Sequence, residues 1–286
     1  MYEDIFESIR HAAEKRNLRE RTIQLYCSDV SYFLRCTNKP VTDLTLEDAD
    51  AFLTMKRLKG RSPETHNHYR SSIKFLYKRV LKITWDDEEV PAMKRERNLP
   101  TVLTPQEINA VIESTDNLKH KAIIATMYSS GLRIGEVCRL RYEDVRRKEM
   151  RIFIRHGKNR SSRYAILSMA ALDILTQYWF ACGRPQGYLF PKQSGRDEPI
   201  DSFFLSRHIH AHERRLGWPK RITCHSFRQA FGTHLYENGS DLLTIKALLG
   251  HKSIHSTVIY VHLAENGTGS AVSPFDRMGG VTHAQA

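Results

Sequence analysis

The sequence has no long hydrophobic run and no apolar leader segment. No stretch approaches the roughly 18 apolar residues that a membrane-spanning helix needs, which excludes such a helix. The chain starts with Met1-Tyr2-Glu3-Asp4, which is acidic rather than apolar, so we expect no secretory signal. Both absences predict a cytoplasmic protein without a membrane partner.

Cysteine is also scarce, and its spacing lacks the pattern of a metal site. The five cysteines are an odd number, and no two of them show the C-x2-C spacing of a zinc site. The 14 histidines likewise contain no H-E-x-x-H motif. We therefore expect no metal site, and buried free thiols in a reducing compartment. The five residues are Cys27, Cys36, Cys138, Cys182 and Cys224.

Positive charge, by contrast, is abundant. The chain has 44 Lys and Arg residues against 32 Asp and Glu, a net charge of +12, within an otherwise globular composition. A surplus of this size favours a polyanionic partner, although it can also serve solubility. Residues 141–163 hold nine basic side chains and three acidic ones. This concentration makes nucleic acid the leading candidate.

The first ninety residues predict helices only. Apolar side chains recur at helical spacing, and Thr45 and Ser62 are in position to cap helix starts, the second with Pro63 behind it. The helix after Ser62 has an apolar face and an opposite basic stripe. That stripe fits either a solvated surface or a contact with phosphates, and the sequence leaves both open. Its members are Arg70, Lys74 and Lys78.

A polar segment without periodicity divides the chain. Prolines flank it, so we predict a linker over 91–103 between domains at 1–90 and 104–263, followed by a Gly- and Ser-rich tail at 264–286. The second domain opens with Thr104 as N-cap, and two β-rich runs at 150–154 and 163–167 predict a hairpin. Helical patterns occupy most of 169–260. The predicted fold is therefore mainly α with a small β-sheet.

Four short stretches of the second domain carry chemistry. Arg133 lies between two glycines at a helix start, where anions bind readily. Lys158 is at the hairpin tip, and His225 precedes Arg228 by three residues, which places both on one helix face. The fourth stretch is Leu248-Leu249-Gly250-His251 with Tyr260 after it. Taken singly, each stretch also fits an ordinary solvated or core residue.

Together these side chains are what phosphoryl transfer without a metal needs. Two guanidinium groups bind the non-bridging oxygens, a general acid protonates the leaving oxygen, and a tyrosine hydroxyl attacks phosphorus. The order Arg…Lys…His-x-x-Arg…His…Tyr over 133–260 resembles the signature of the tyrosine recombinase, or phage integrase, family. The resemblance extends to residues 131–136, 225–228, 233–235 and 248–251, and the helical first domain resembles the family's SAM-like core-binding domain.

The resemblance implies a role for each side chain. Arg133 and Arg228 would clamp the scissile phosphate, and Lys158 would protonate the 5′ leaving oxygen. His225 and His251 would contact the phosphate and assist proton transfer. Tyr260 would be the nucleophile that forms a 3′-phosphotyrosyl bond, with no cofactor and no metal. Supporting these six, Glu136 would contact Arg133, and Gln229 occupies a position where the family most often has histidine.

The function implied is site-specific recombination of duplex DNA through a Holliday junction, with a dimer on each site and a tetramer in the synapse. The first domain begins near the start of the chain, which favours a simple recombinase without an arm-binding domain, and we lean to integration, excision or resolution of a mobile element. A type IB topoisomerase-like relaxase and an inactive DNA-binding regulator are the alternatives. Residues expected to track the DNA backbone are Arg70, Lys74, Lys78, Arg155, Arg160 and Arg163.

Overall fold

A computed structural model describes residues 3–94, 101–155, 162–184, 186–192 and 198–264. The chain divides into two compact units, Met1–Asn98 and Leu99–Ala286. The described residues do not include Lys158, Arg160 or the predicted tail after residue 264, so the predictions for them lie outside the described structure.

The first unit is helical, as its sequence predicts. Its helices are α1 (Glu3–Glu14), α2 (Glu20–Thr37), α3 (Leu46–Leu58) and α4 (Pro63–Phe75), and α4 continues into a π-helical turn, Leu76–Leu81. Both predicted N-caps are confirmed. The Asp48 carboxylate accepts the Thr45 backbone N–H at 3.0 Å, and Ser62 Oγ accepts the Thr65 N–H at 3.3 Å.

The core of the first unit extends along the chain beyond its last helix, as far as the start of the predicted linker. Trp85 is 6% exposed and Val90 is 1% exposed, and both join the cluster formed by the four helices. The side chain of Asn67 exchanges two hydrogen bonds of 2.8 Å with the backbone of Met93. The chain therefore stays packed on the first unit up to residue 93, the third residue of the predicted linker. At the other end of that linker, Leu103 is buried in the second unit.

The second unit combines eight helices with a small sheet among its described residues. At the centre of its core is the helix at Leu118–Ser130, which packs against the helices at Met169–Ala181 and Cys224–Glu237 and against the strand at Arg163–Ile166. The elements are α5 (Pro105–Glu113), α6 (Leu118–Ser130), α7 (Ile134–Cys138), β1 (Val145–Arg146), β2 (Arg151–Ile154), β3 (Arg163–Ile166), α8 (Met169–Ala181), α9 (Ser202–Arg215), α10 (Cys224–Glu237), α11 (Leu242–Leu249) and α12 (His255–Leu263).

The sheet is antiparallel and has the order β1-β2-β3. Strands β2 and β3 pair with Ile152 opposite Ala165, which confirms the predicted hairpin, and these two residues face the core. Strand β1, only two residues long, adds an edge that the sequence did not predict. A mainly helical fold with a small sheet is confirmed.

The cysteines only partly follow expectation. All five are free thiols, but Cys138 and Cys224 alone are buried, and Cys36 is exposed. The prediction of buried thiols is therefore wrong for Cys36, which lies on the outer face of α2. None of the helices in the described part of the chain is long and apolar enough to cross a membrane.

Candidate active site

Arg133 is positioned by the turn that joins α6 to α7. Gly131 ends α6 with φ +59°, and a Cβ on it would lie 2.4 Å from Cδ1 of Phe231, so glycine is required by both conformation and space. Arg133 follows as the residue before α7. Its backbone N–H donates to Glu136 at 2.9 Å, and its Nη1 donates to the other carboxylate oxygen at 2.8 Å. The predicted contact between Glu136 and Arg133 is thus present.

Arg228 lies deep in the unit on α10 and is only 1% exposed. Its two terminal nitrogens donate to the carbonyl oxygens of Gly131 and Leu249, both at 2.6 Å. These bonds join the end of α6 to the end of α11. Burial and the nearby charge of Arg133 lower the pKa of Arg228 to about 10, so the guanidinium stays charged at neutral pH.

Glu136 forms the centre of the charge network. It is 6% exposed and accepts two hydrogen bonds of 2.9 Å from Arg163, in addition to the two from Arg133. Burial alone would raise its pKa, but the bonds and charge of Arg163, followed by those of Arg133, lower it to about 2. Three guanidinium groups within 4.0 Å surround this one carboxylate, because Arg228 also approaches it. The excess positive charge makes the site a receptor for an anion.

The two predicted histidines lie beside the arginines. His225 is exposed in the first turn of α10, and desolvation by its neighbours, then Arg228 and Arg133, lower its pKa. His251 follows Gly250, which ends α11 with φ +63°. Partial burial, followed by the charge of Arg228, lowers the pKa of His251 to about 4, so both rings are neutral at pH 7.

Tyr260 closes the site from α12. It is 2% exposed, and its ring stacks on that of His251 with centroids 6.2 Å apart and planes 13° apart. Thr257, one turn earlier, bonds to Nδ1 of His251 at 3.0 Å. Burial raises the pKa of the Tyr260 hydroxyl, while Arg228 and Arg133 oppose that rise. Five of the six predicted catalytic side chains therefore converge on one region.

Sequence reasoning missed three supports of this site. Arg163 was expected on the DNA, yet it is bound to Glu136. Thr257 orients His251, and Gly232 leaves room for the ring of Tyr260. Of these three, only Gly232 could have been found from the sequence, because a glycine inside a helix costs stability and indicates close packing.

Gln229, the other residue predicted to support the site, is half-buried. Among the described residues, no group of three His, Cys, Asp or Glu side chains is placed to hold a metal ion.

The predicted phosphate-tracking residues differ in their surroundings. Arg70 and Lys74 both pair with Asp87 at 2.5 Å, and Arg70 Nε also donates to the carbonyl oxygen of Val90. Lys78 is exposed. In the second unit, Arg155 is exposed and pairs at 2.7 Å with two acidic side chains, Glu143 and Asp144.

Comparison with known protein families agrees with this geometry. Residues 5–87 match the family described as "Phage integrase, N-terminal SAM-like domain". Residues 101–266, more than half of the chain, match the family described as "Phage integrase family". The chain belongs to the phage integrase family of tyrosine recombinases. All five of the converging side chains lie within the matched segment.

Individual members of the family are similar over nearly the whole chain. Tyrosine recombinase XerA of Pyrococcus horikoshii is 28% identical over 90% of this chain and 88% of its own. Tyrosine recombinase XerD of Listeria innocua is 28% identical over 88% of this chain and 91% of its own. The crystal structure of XerH site-specific recombinase bound to palindromic difH substrate, a post-cleavage complex, has the same fold, with a TM-score of 0.68 at 19% identity, covering 90% of this chain and 80% of that one.

Proposed function

We propose that this tyrosine recombinase cuts and rejoins duplex DNA at a specific site through a 3′-phosphotyrosyl intermediate. The observation that carries the proposal is the convergence of Arg133, Arg228, His225 and His251 around the ring of Tyr260. Two fixed guanidinium groups, two neutral imidazoles and a phenol suit a phosphodiester in the absence of a cofactor.

In the proposed reaction, Arg133 and Arg228 bind the non-bridging oxygens of the scissile phosphate. Arg228 is held by two backbone carbonyls and Arg133 by Glu136, so both groups are oriented before the substrate arrives. Such preorganised charge is the largest single contribution to many transfers of this kind. The charge on the phosphate grows in the transition state, and the excess of positive charge in the site stabilises that growth.

The bonds and protons balance without a co-reactant. The oxygen of Tyr260 attacks phosphorus, the bond between phosphorus and the 5′ oxygen breaks, and the leaving oxygen takes a proton from Lys158. A neutral histidine, His225 or His251, accepts the proton that Tyr260 loses. Rejoining reverses these steps when the 5′ hydroxyl of another strand attacks the phosphotyrosine.

The buried position of Tyr260 sets a condition on this reaction. Only 2% of this residue is exposed, so the packing around its ring restricts the approach of a phosphate. In the proposed reaction, DNA binding widens access to the hydroxyl of Tyr260 before attack. In the proposed pathway the protein acts as a dimer on each site and as a tetramer in the synapse, exchanging strands through a Holliday junction during integration, excision or resolution of a mobile element.

The test begins with the DNA site. Protein-linked fragments are purified under denaturing conditions from cells that express the chain, and sequencing them identifies the cleaved sequence. A nicked suicide duplex of that sequence should then form a covalent adduct with the wild-type protein. Tyr260→Phe should bind the same duplex and form none. Adduct in Tyr260→Phe would contradict the assigned nucleophile.

The same assay separates the alternatives. Cleavage at one sequence supports a site-specific recombinase, whereas cleavage of supercoiled plasmid at many sequences would indicate a type IB topoisomerase-like relaxase. Binding without any cleavage would indicate an inactive DNA-binding regulator.

A further inference from the structure

Arg163 is an unusual residue for a protein that binds DNA, because all three of its guanidinium nitrogens are engaged inside the fold. Nε donates to the carbonyl oxygen of Leu248, and the two terminal nitrogens donate to the two carboxylate oxygens of Glu136, all at 2.9 Å. The side chain is 11% exposed. Three of the five N–H donors of this guanidinium are used in these bonds, and its low exposure leaves it poorly placed to contact a phosphate of the DNA.

The partners of Arg163 belong to two segments that supply site residues. Glu136 holds Arg133 through both the backbone N–H and the side chain. Leu248 is at the end of α11, immediately before Leu249, whose carbonyl oxygen anchors Arg228 at 2.6 Å. The terminal nitrogen Nη2 of Arg133 also reaches the carbonyl oxygen of Gly250, at 3.5 Å.

The packing around Arg163 supports the same conclusion. Gly250 lies so close that a Cβ there would be 2.9 Å from Cδ of Arg163. His251 follows Gly250 directly, so the position of Arg163 also bears on this ring. Arg163 is the first residue of β3, at the end of the segment that carries Lys158.

We propose that Arg163 is a positioning residue for strand cleavage, which fixes Glu136 and the end of α11 so that Arg133, Arg228 and His251 meet one phosphate. This inference rests on the proposed function. Arg163 itself does not touch the DNA. It acts through the residues that do, and a lysine cannot replace it because an ammonium group cannot bind both carboxylate oxygens and a carbonyl in one plane.

The test compares Arg163→Lys with the wild-type protein on the nicked suicide duplex mapped above. Affinity for the duplex, measured by fluorescence anisotropy, should stay within about twofold, because the charge is kept and no phosphate contact is lost. The single-turnover rate of adduct formation should fall by about tenfold to a hundredfold, the usual effect of displaced catalytic groups. Arg215→Lys alters an exposed Arg–Asp pair of the same unit and should change neither quantity.

Two further variants separate positioning from general support of the fold. Glu136→Gln should lower the rate to a similar extent, and the double variant should be no slower than Glu136→Gln alone, since both changes break one network. The acid limb of the pH–rate profile should move to higher pH in Arg163→Lys, because Glu136 loses the partner that chiefly lowers its pKa. That movement should disappear in the double variant, whose amide does not titrate.

If Arg163→Lys does not fold, Gly250→Ala provides the second test. It displaces Arg163 without removing any charged group, and it also strains the left-handed backbone at φ +63°. Gly217→Ala, at φ +64° with nothing within 4 Å of the added Cβ, carries the same kind of strain without the contact. Gly250→Ala should lower the adduct rate and Gly217→Ala should not, and both should leave duplex affinity intact. A normal rate in a folded Arg163→Lys, or lost affinity at a normal rate, would overturn the inference while the proposed function stands. If the wild-type protein formed no adduct, the proposed function would fail first and the inference with it.

Discussion

The ring of Tyr260 lies directly against Gly232 of α10, where a Cβ would be 2.4 Å from the ring carbon Cζ. Helix α12 can approach α10 only because this position has no side chain. The contact holds the proposed nucleophile in its buried place beside His251. A small residue on one helix thereby controls the position of a reactive side chain on another.

We predict that Gly232→Ala displaces Tyr260 from this place. The added methyl group overpacks the contact and should destabilise the catalytic unit by about 1–3 kcal/mol, partly offset by the better helix propensity of alanine. Adduct formation on the suicide duplex should fall by at least about tenfold, because the ring no longer stacks on His251. Thermal unfolding and single-turnover rates measure the two effects.

Gly135→Ala is the matched control for this prediction. Its Cβ would meet only the flexible end of Arg139, at 3.3 Å, so the substitution should leave stability equal or raise it by about 0.5–1 kcal/mol. Equal behaviour of the two alanine variants would show that the contact between Gly232 and Tyr260 is unimportant.

Thr257→Val should reduce the reaction by loosening His251. The hydroxyl of Thr257 bonds to Nδ1 of the ring at 3.0 Å and thereby fixes the direction of the ring. Valine keeps the volume but not the bond, so we expect a loss of about 1 kcal/mol of stability and an adduct rate lower by about tenfold. Thr176→Val, which removes a hydroxyl bonded within α8, should cost stability but not rate. A rate that is equal in both variants would contradict the role of Thr257.

The sequence predicts the local parts of this fold and of its site. The caps at Thr45, Ser62 and Thr104 depend on side chains within three residues of the backbone groups they bind, and each forms as expected. Gly250 ends α11 at the predicted place, because a left-handed φ is the local requirement of this helix end. Such features are visible in a single sequence since the interacting groups are neighbours along the chain.

The remaining features depend on residues far apart in sequence. Asp87 is in a run of acidic residues without periodicity, yet it pairs with Arg70 and Lys74 once the chain folds back on α4. Arg163 is one of many basic residues in its segment. What distinguishes it is its contact with Glu136, a residue 27 positions earlier in the chain. No periodicity or spacing encodes either pair.

Acid should destabilise the catalytic unit through two histidines. Burial is the main reason why the pKa values of His120 and His251 fall to about 4, against about 6.5 in an unfolded chain. The unfolded chain therefore binds more protons in this interval, so their contribution to the free energy of unfolding is complete above about pH 6.5 and is lost as the pH falls toward 4. We expect a loss on the order of 1 kcal/mol per histidine at pH 5.

His120→Phe tests this dependence. The substitution keeps an aromatic ring beside His208 and Phe204 but removes the titrating group. The difference between the thermal unfolding midpoints at pH 7 and pH 5 should be smaller in the variant than in the wild-type chain. An unchanged difference would show that His120 does not contribute to the acid sensitivity.

The basic stripe of α4 should separate into structural and DNA-contacting members. Arg70 donates to the carbonyl of Val90, pairs with Asp87 and lies over the ring of Trp85, at 5.6 Å from its centroid. Arg70→Met should therefore destabilise the first unit by about 1–2 kcal/mol. Lys78 is exposed and has no such partner among the described residues, so its charge is available to a phosphate.

Lys78→Met should accordingly leave stability nearly unchanged and weaken binding to duplex DNA. Loss of one phosphate contact should reduce the slope of log affinity against log salt concentration by about one. Titrating a fluorescent duplex at several salt concentrations measures that slope, and thermal unfolding of both variants measures stability. If Lys78→Met gave the wild-type slope, the stripe would be a solvated face. Arg70 and Lys74 would then serve only to hold residues 85–90 against α4.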